Sequence, residues 1–199
     1  GWREDKGEAP LKETLAAAMI AASGWDANMP LYDPCCGSGT IAIEATQVAC
    51  GIAPGLLRRF GFEKLMPYQA HVWSGLKGEA EAMRKQPQVA IYGSDVAFRM
   101  VDFANRNAQR AGVTGVVQFR GGDALQRMPP CEAPGLMLVN PPYGERIETA
   151  GVAGRTQGGR ERAQSEEAGD FFAQLAAHWK KNYAGWTAWM LTPDLKLPS

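Results

Sequence analysis

A glycine-rich loop between an apolar segment and an amphipathic segment is the feature that most constrains the fold of this chain. The loop, residues 33–40, reads Asp-Pro-Cys-Cys-Gly-Ser-Gly-Thr, and it separates apolar residues 30–32 from residues 40–50, whose spacing predicts a helix. Gly37 and Gly39 lack a Cβ, so the backbone can approach a ligand, and the helix that follows presents unpaired N–H groups at its start. The pattern predicts a strand, a nucleotide-binding loop and a helix in succession.

The same alternation of short apolar runs and helical spacing continues along the 199 residues. It predicts strands at 30–32, 89–92, 116–119, 136–139 and 186–191, and helices at 10–23, 40–50, 98–111 and 170–183. Strands that alternate with helices in this way predict an α/β fold with a doubly wound, mostly parallel sheet. With 45% hydrophobic residues, the whole chain (residues 1–199) suits a single domain.

Two stretches depart from this alternation of strands and helices. Residues 51–88 are rich in glycine and proline, and we interpret them as an insertion with a helix near 79–85. Residues 151–169 contain five glycines and three arginines but almost no apolar side chain, which predicts a long mobile loop.

Composition excludes several classes of protein. The 21 basic and 21 acidic residues balance, so an anionic partner requires a local basic patch or another domain. The four cysteines show neither paired zinc spacing nor the density of a disulfide scaffold, which favours a reducing cytoplasm and no metal. No apolar run approaches about 18 residues, so no membrane span is predicted. Because the chain begins with Gly1, we expect it to be part of a longer protein.

Polar residues follow the predicted strands where each strand ends. Asp95, Asp123 and Asn140 occupy these positions, and in open parallel sheets ligands bind beyond the carboxyl ends of the strands. A carboxylate after the second strand can accept both hydroxyls of a ribose, and one after the third can accept from the amine of adenine. These residues together with the glycine-rich loop predict a nucleoside pocket.

Two nucleoside ligands fit the glycine-rich loop. The spacing Gly37-x-Gly39-x-x-Ala42 matches a dinucleotide fingerprint, which would indicate an oxidoreductase with an acid about 20 residues after the loop. Asp95 lies much farther along, but the insertion could account for the gap. Asp33 favours S-adenosylmethionine, because a carboxylate attracts the cationic amino-acid end of that cofactor and repels a pyrophosphate.

Three motifs carry a family resemblance: residues 33–40, Gly-Ser-Asp at 93–95, and Asn-Pro-Pro-Tyr-Gly-Glu-Arg at 140–146. Together they resemble the class I S-adenosylmethionine-dependent methyltransferases of Rossmann-like fold that modify exocyclic amines. The chain is most similar to the THUMP-associated family, the bacterial 23S rRNA guanine-N2 methyltransferases, and the likeness includes residues 9–15 and 53–56.

The resemblance implies a role for each residue of a cofactor site. The methionine part of S-adenosylmethionine would be held by Asp33, Cys35, Gly37, Gly39 and Thr40. The ribose and the adenine would be held by Asp95, Val96, Asp123 and Ala124, and Asn140 would also face the cofactor.

The same resemblance implies a catalytic role for residues 140–143. Asn140 and the carbonyl of Pro141 would accept hydrogen bonds from the target amine, Pro142 would keep this turn rigid, and Tyr143 would stack on the base. A guanine amine is a poor nucleophile because its lone pair is delocalised into the ring, and two acceptors favour a geometry that frees this pair. The target base would have to be unpaired or extruded from its helix.

Members of the family contain an N-terminal THUMP domain that binds RNA and a C-terminal antiparallel hairpin in the sheet. We expect this chain to contain neither of them. We therefore expect the RNA substrate, ribosomal RNA, to be held partly by a domain outside the chain. Methylation of DNA adenine N6 or of a protein glutamine N5 is the alternative activity, and a non-catalytic module that binds cofactor and RNA is the alternative of another class.

Overall fold

The computed structural model describes residues 2–7, 10–56, 58–142 and 162–192, and for residues 162–169 it describes the backbone alone. The described strands are β1 Leu31–Asp33, β2 Ile91–Asp95, β3 Val117–Gly121, β4 Leu136–Val139 and β5 Thr187–Met190. The described α-helices are α1 Glu13–Ala22, α2 Thr40–Ala49, α3 Ala70–Ala82, α4 Phe98–Ala111 and α5 Arg162–Asn182.

The five strands form one sheet in the order β3-β2-β1-β4-β5, and every pair in it is parallel. The predicted doubly wound parallel sheet is therefore confirmed. β1 lies at the centre between β2 and β4, so the chain reverses its direction of winding beside β1. The loop after β1 thus sits at the topological switch point, where open α/β sheets bind their ligands.

Both faces of the sheet are covered, which explains why every residue of β1 and β4 is buried. Along β1 and β4, Leu31 and Leu138 pack into one buried cluster with α1 and α2, whereas Tyr32 and Met137 pack into another with Tyr183. Successive side chains of a strand point to opposite faces, so each face of β1 and β4 receives apolar side chains. This burial holds the carboxyl ends of β1 and β4 side by side.

The segment predicted as an insertion contains more helix than expected. A 3₁₀ helix covers Gly61–Lys64, and α3 begins at Ala70 rather than near residue 79. Its two glycines argue against a helix in the sequence, yet the helix is held by Trp73, whose ring meets those of Phe60 and Phe62 edge to face at centroid distances of 5.6 and 5.0 Å. No residue of α3 is buried, so this segment lies outside the main core.

The structure also differs from the prediction of a mobile loop at residues 151–169. Helix α5 begins at Arg162, eight residues before the predicted start at Asp170, so the prediction is wrong for residues 162–169. The good helix formers between Arg162 and Ala168 outweigh the cost of about 1 kcal/mol for Gly169 in a helix. The rest of the predicted loop lies outside the described residues.

Among the described helices, none combines the length and the apolar character needed to cross a bilayer.

Gly39 provides a test of how tightly the loop is packed. Its φ of +85° is in the left-handed region, and a Cβ there would lie 2.8 Å from the Phe119 ring and 2.9 Å from Ala104 Cβ. We expect Gly39→Ala to lower the free energy of unfolding by about 2–5 kcal/mol, because left-handed strain and overpacking add. Urea unfolding followed by circular dichroism measures this.

The matched control for that substitution is Gly75→Ala, which lies inside α3 with no atom within 4 Å of the added Cβ. This variant should be more stable than the wild type by about 0.5–1 kcal/mol, because alanine loses less backbone entropy in a helix. Equal effects of the two substitutions would contradict the tight packing around Gly39.

Candidate active site

A cavity of about 620 Å³ opens at the carboxyl edge of the sheet, at the switch point beside β1. The predicted site residues that line it are Asp33, Cys35, Gly37, Thr40, Asp95, Val96, Asp123, Ala124, Asn140, Pro141 and Pro142. Gly39 does not line the cavity but forms the N-cap of α2, and Tyr143 lies outside the described residues. The structure therefore gathers in one place residues from four separate strand ends.

The glycine-rich loop is fastened to the end of β2 by backbone hydrogen bonds. The Cys36 N–H donates to the Ser94 carbonyl at 2.8 Å, and the Gly37 N–H donates to Asp95 Oδ2 at 2.9 Å. The loop then turns into α2, whose first turn has no side-chain cap. Unpaired N–H groups of that turn, next to the cavity-lining Thr40, suit an anionic group of a ligand.

Two carboxylates of the site are oriented by the backbone that follows them. Asp95 Oδ1 accepts from the Ala97 N–H at 2.9 Å, in addition to the bond that Oδ2 makes with the loop. Asp123 Oδ1 accepts from the Leu125 N–H, also at 2.9 Å. A carboxylate has about four acceptor positions, so both groups retain capacity for the hydroxyls or amine of a ligand.

Asp33 is the most deeply buried acidic side chain of the cavity. Only 1% of it is exposed, and its Oδ1 accepts from the Cys35 N–H at 3.1 Å. Burial, with a smaller contribution from the nearby Asp95, raises the pKa of Asp33 from 3.8 to about 8. Near neutral pH the side chain is therefore mostly protonated in the absence of a ligand, and a cationic ligand favours its ionised form.

The two cysteines of the loop are not nucleophiles. Burial raises the pKa of the Cys35 thiol and that of the Cys36 thiol well above the ordinary value, and the neighbouring acidic groups raise both further. A thiol in such surroundings stays protonated and inert. Among the described residues, no three His, Cys, Asp or Glu side chains form a group that could hold a metal ion.

Asn140 directly follows β4 and lies next to the end of β1 in the sheet. β4 pairs with β1 through Leu31↔Leu136 and Tyr32↔Met137, so Asn140 projects beyond the level of Asp33. Within the described part of the chain, no hydrogen bond engages the Asn140 side chain, and Asn140, Pro141 and Pro142 all line the cavity. No described residue donates to the Asn140 amide oxygen or to the Pro141 carbonyl.

The structure adds cavity-lining residues that the sequence did not reveal. They come from the segment before α1, from the first turns of α4 and from α5, and they include Lys6, Leu11, Arg99, Met100, Phe103 and Phe171. Tertiary folding alone brings these residues to the site.

Asn107 explains how the N-terminal segment reaches the cavity. Its side chain is fully buried and donates to the Asp5 carbonyl at 2.8 Å and to the Ser38 carbonyl at 3.0 Å, and it accepts from the N–H groups of Glu4 and Asp5. Asn107 therefore joins the glycine-rich loop to residues 2–7. A polar residue on the apolar face of a predicted helix was the available signal for this role.

Comparisons with known proteins place the chain in context. A model of the "RMKL-like, methyltransferase domain" family matches residues 1–155. The chain is 42% identical to the ribosomal RNA large subunit methyltransferase K/L of Shewanella baltica OS195 and 40% identical to that of Psychromonas ingrahamii, in both cases over its whole length. It spans 27% and 25% of the length of these relatives.

Solved structures share the same fold. A predicted N6-adenine-specific DNA methylase from Listeria monocytogenes aligns with 99% of this chain and 48% of its own, at a TM-score of 0.82 and 31% identity. SMU.472, described as "a putative methyltransferase complexed with SAH", aligns with 99% of this chain and 47% of its own, at a TM-score of 0.81 and 30% identity. These similarities agree with the fold derived above.

The raised pKa of Asp33 makes stability depend on pH. Between about pH 4 and pH 8 the folded protein keeps a proton that the unfolded chain has lost, so stability falls as the pH rises through this window. Asp33→Asn should remove this contribution, whose slope is at most about 1.4 kcal/mol per pH unit. Thermal unfolding of the ligand-free protein from pH 5 to pH 9 measures it.

The exposed Asp26 offers a matched control, since Asp26→Asn changes a carboxylate that remains in solvent. That variant should keep the pH dependence of the wild type. If Asp33→Asn also keeps it, Asp33 is already ionised in the empty cavity.

Proposed function

The chain belongs to the RMKL-like methyltransferase family, and from this premise we propose that it transfers a methyl group from S-adenosylmethionine to an exocyclic amine of RNA. The substrate that we propose is guanine N2 of large-subunit ribosomal RNA. Relatives that contain a similar sequence over about a quarter of their length are named as ribosomal RNA large subunit methyltransferases. A cytoplasmic location agrees with such a substrate and stays a prediction.

One observation carries this proposal: two acceptors, Asn140 and the Pro141 carbonyl, share a single cavity with three carboxylates of the neighbouring strand ends. The carboxylates suit the cationic and hydroxyl-bearing parts of S-adenosylmethionine. The acceptors suit the two hydrogens of an amine. A pyrophosphate beside Asp33 would disfavour the ionised form of this side chain, whereas the cationic amino group of S-adenosylmethionine favours it.

In this proposal, different residues of the cavity hold different parts of the cofactor. Asp33 and the loop that ends at Thr40 hold the methionine part, with the cationic amino group favouring the ionised form of Asp33. Asp95 accepts from the ribose hydroxyls, Val96 packs on the adenine, and Asp123 with Ala124 meets the adenine edge. When bound, S-adenosylmethionine supplies a methyl group that its sulfonium activates for transfer.

Asn140 and Pro141 orient the amine that receives the methyl group. Their oxygens accept hydrogen bonds from the two N–H groups of the amine. The nitrogen lone pair is therefore directed out of conjugation with the ring and toward the cofactor. The bound cofactor would supply the methyl group to this nitrogen and keep the sulfur as the leaving group, and the proton of the methylated amine would pass to solvent. Pro141 and Pro142 limit the backbone freedom of this turn. Tyr143 stacks on the target base in the same proposal.

A second candidate is methylation of adenine N6 in DNA. The Listeria monocytogenes protein that shares this fold is described as a predicted N6-adenine-specific DNA methylase. Adenine N6 and a glutamine amide also present two hydrogens to a pair of acceptors, so Asn140 and Pro141 serve all three substrates equally well. The choice between them depends on groups beyond the acceptors.

Asn140→Ala tests the catalytic role. We expect methyl transfer to fall by about 10²–10³-fold, because an oriented acceptor is lost from the reacting amine. The affinity for S-adenosylmethionine, measured by calorimetry, should stay close to that of the wild type. Asn105→Ala, an exposed position on α4, is the control and should keep full turnover.

The same assay separates the candidate functions. The protein is incubated with labelled S-adenosylmethionine and with unmodified large-subunit ribosomal RNA, duplex DNA or protein as acceptor. Label on guanine N2 supports the proposed function, and label on DNA or protein supports an alternative. Cofactor binding without any transfer would indicate a non-catalytic module.

A further inference from the structure

The rim of the cavity differs in charge from its interior. The interior contains Asp33, Asp95 and Asp123, whereas two cations, Lys6 and Arg99, line the cavity from its exposed side. Among the described residues, no carboxylate lies within 4.0 Å of the charged group of either cation. A cationic ligand therefore suits the interior, and an anionic one suits the rim.

Lys6 is held at the rim by the network that fixes the N-terminal segment. The Arg110 side chain donates to the Trp2 carbonyl at 2.9 Å, and Asn107, one turn earlier in α4, donates to the Asp5 carbonyl. Farther along, a Cβ on Gly7 would lie 3.3 Å from Met100 Sδ. The segment thus runs along α4 toward its first turn, which places Lys6, between Asp5 and Gly7, near that turn.

Arg99 is also oriented before any ligand arrives. Its guanidinium lies 5.1 Å from the centre of the Phe103 ring, and Arg106 covers the ring at 5.0 Å. Arg106 is engaged by Asp5 and Asp102, whereas Arg99 keeps its donors available within the described part of the chain. A guanidinium fixed on an aromatic ring has little rotamer freedom left to lose on binding a phosphate.

An exposed aromatic residue directly precedes Arg99 in the chain. Phe98, the first residue of α4, is 81% exposed, and its ring covers Gly121 at the end of β3. Exposed aromatics between cations are typical of surfaces that bind single-stranded nucleic acid, since bases stack on the rings while cations follow the backbone. We call Lys6, Phe98 and Arg99 the rim strip.

We propose that the rim strip binds the RNA strand next to the target nucleotide, with Lys6 and Arg99 on phosphates and Phe98 against a base. The proposal rests on the RNA substrate of the proposed function. Strands in a sheet are about 4.8 Å apart, so the end of β2 lies about 10 Å from the end of β4 and Asn140.

The carboxylate of the cofactor is the competing anion, and the structure favours RNA. Lys6, Phe98 and Arg99 are all exposed, whereas the uncapped first turn of α2 already offers N–H groups inside the cavity. Phe98 does not line the cavity, so a ligand that contacts all three residues must extend outside it.

The test compares the double variant Lys6→Ala/Arg99→Ala with the wild type, using transcribed large-subunit ribosomal RNA as the probe at several salt concentrations. Loss of two phosphate contacts should lower the slope of log affinity against log salt by about 1.4. At about 0.1 M salt this corresponds to about 25-fold weaker RNA binding. Phe98→Ala should weaken RNA binding without changing the slope, and Phe98→Tyr should restore it.

The matched control is Lys180→Ala/Lys181→Ala, which removes two exposed cations at the C-terminal end of α5, the edge of the sheet away from the cavity. It should leave the slope unchanged. Affinity for S-adenosylmethionine is measured for every variant. An equal loss of cofactor affinity in the rim variant would assign the cations to the cofactor and overturn the proposal, as would an unchanged RNA slope.

The same experiments distinguish failure of the rim strip from failure of the proposed function. If the wild type binds the RNA with a slope that depends on Lys6 and Arg99 but labels no guanine, the rim strip stands and the assignment of guanine N2 fails. If it labels guanine and the rim variant binds RNA as the wild type does, the rim strip fails and the function stands.

Discussion

The site depends on the connection between the loop after β1 and the end of β2. Two backbone N–H groups of this loop, at Cys36 and Gly37, bond to the Ser94 carbonyl and the Asp95 carboxylate. These bonds fix the loop across two adjacent parallel strands, so that α2 starts directly beside the cavity. Because Asp95 accepts with one oxygen from the loop and with the other from Ala97, a carboxylate that lines the cavity also stabilises the structure around it.

Burial of acidic groups in this cavity has an energetic cost that a ligand can reverse. The pKa of Asp33 rises to about 8, and burial raises the pKa of Asp95 as well, so the cavity disfavours charge when nothing occupies it. A cation restores the ionised state of Asp33 and releases a proton. A site strained in this way sacrifices some stability of the free protein for affinity, which is common where function needs unfavourable groups.

Much of the fold could be predicted because its signals are local. The bounds of β4 and α4 match the prediction residue for residue, since a continuous apolar run and a glycine stop are unambiguous. The sequence pattern places α3 too late because the stability of this helix comes from aromatic contacts of Trp73 with distant residues, which no local pattern shows. The strand-end residues were predictable for the same topological reason that brings them together. Lys6 and Arg99 line the same cavity because Asn107 and Arg110 hold the N-terminal segment along α4, which no local pattern shows.

The separation of charge between interior and rim also explains why composition says little about substrate. Basic and acidic residues are equal in number, so the net charge gives no attraction for RNA. Electrostatic recognition acts over about a Debye length, roughly 10 Å at 0.1 M salt, so the local arrangement of charges governs binding. With acids inside and cations on the rim, one cavity can accept a cationic cofactor and an anionic polymer at the same time. In the function proposed above, the target amine then meets Asn140 where these two regions join.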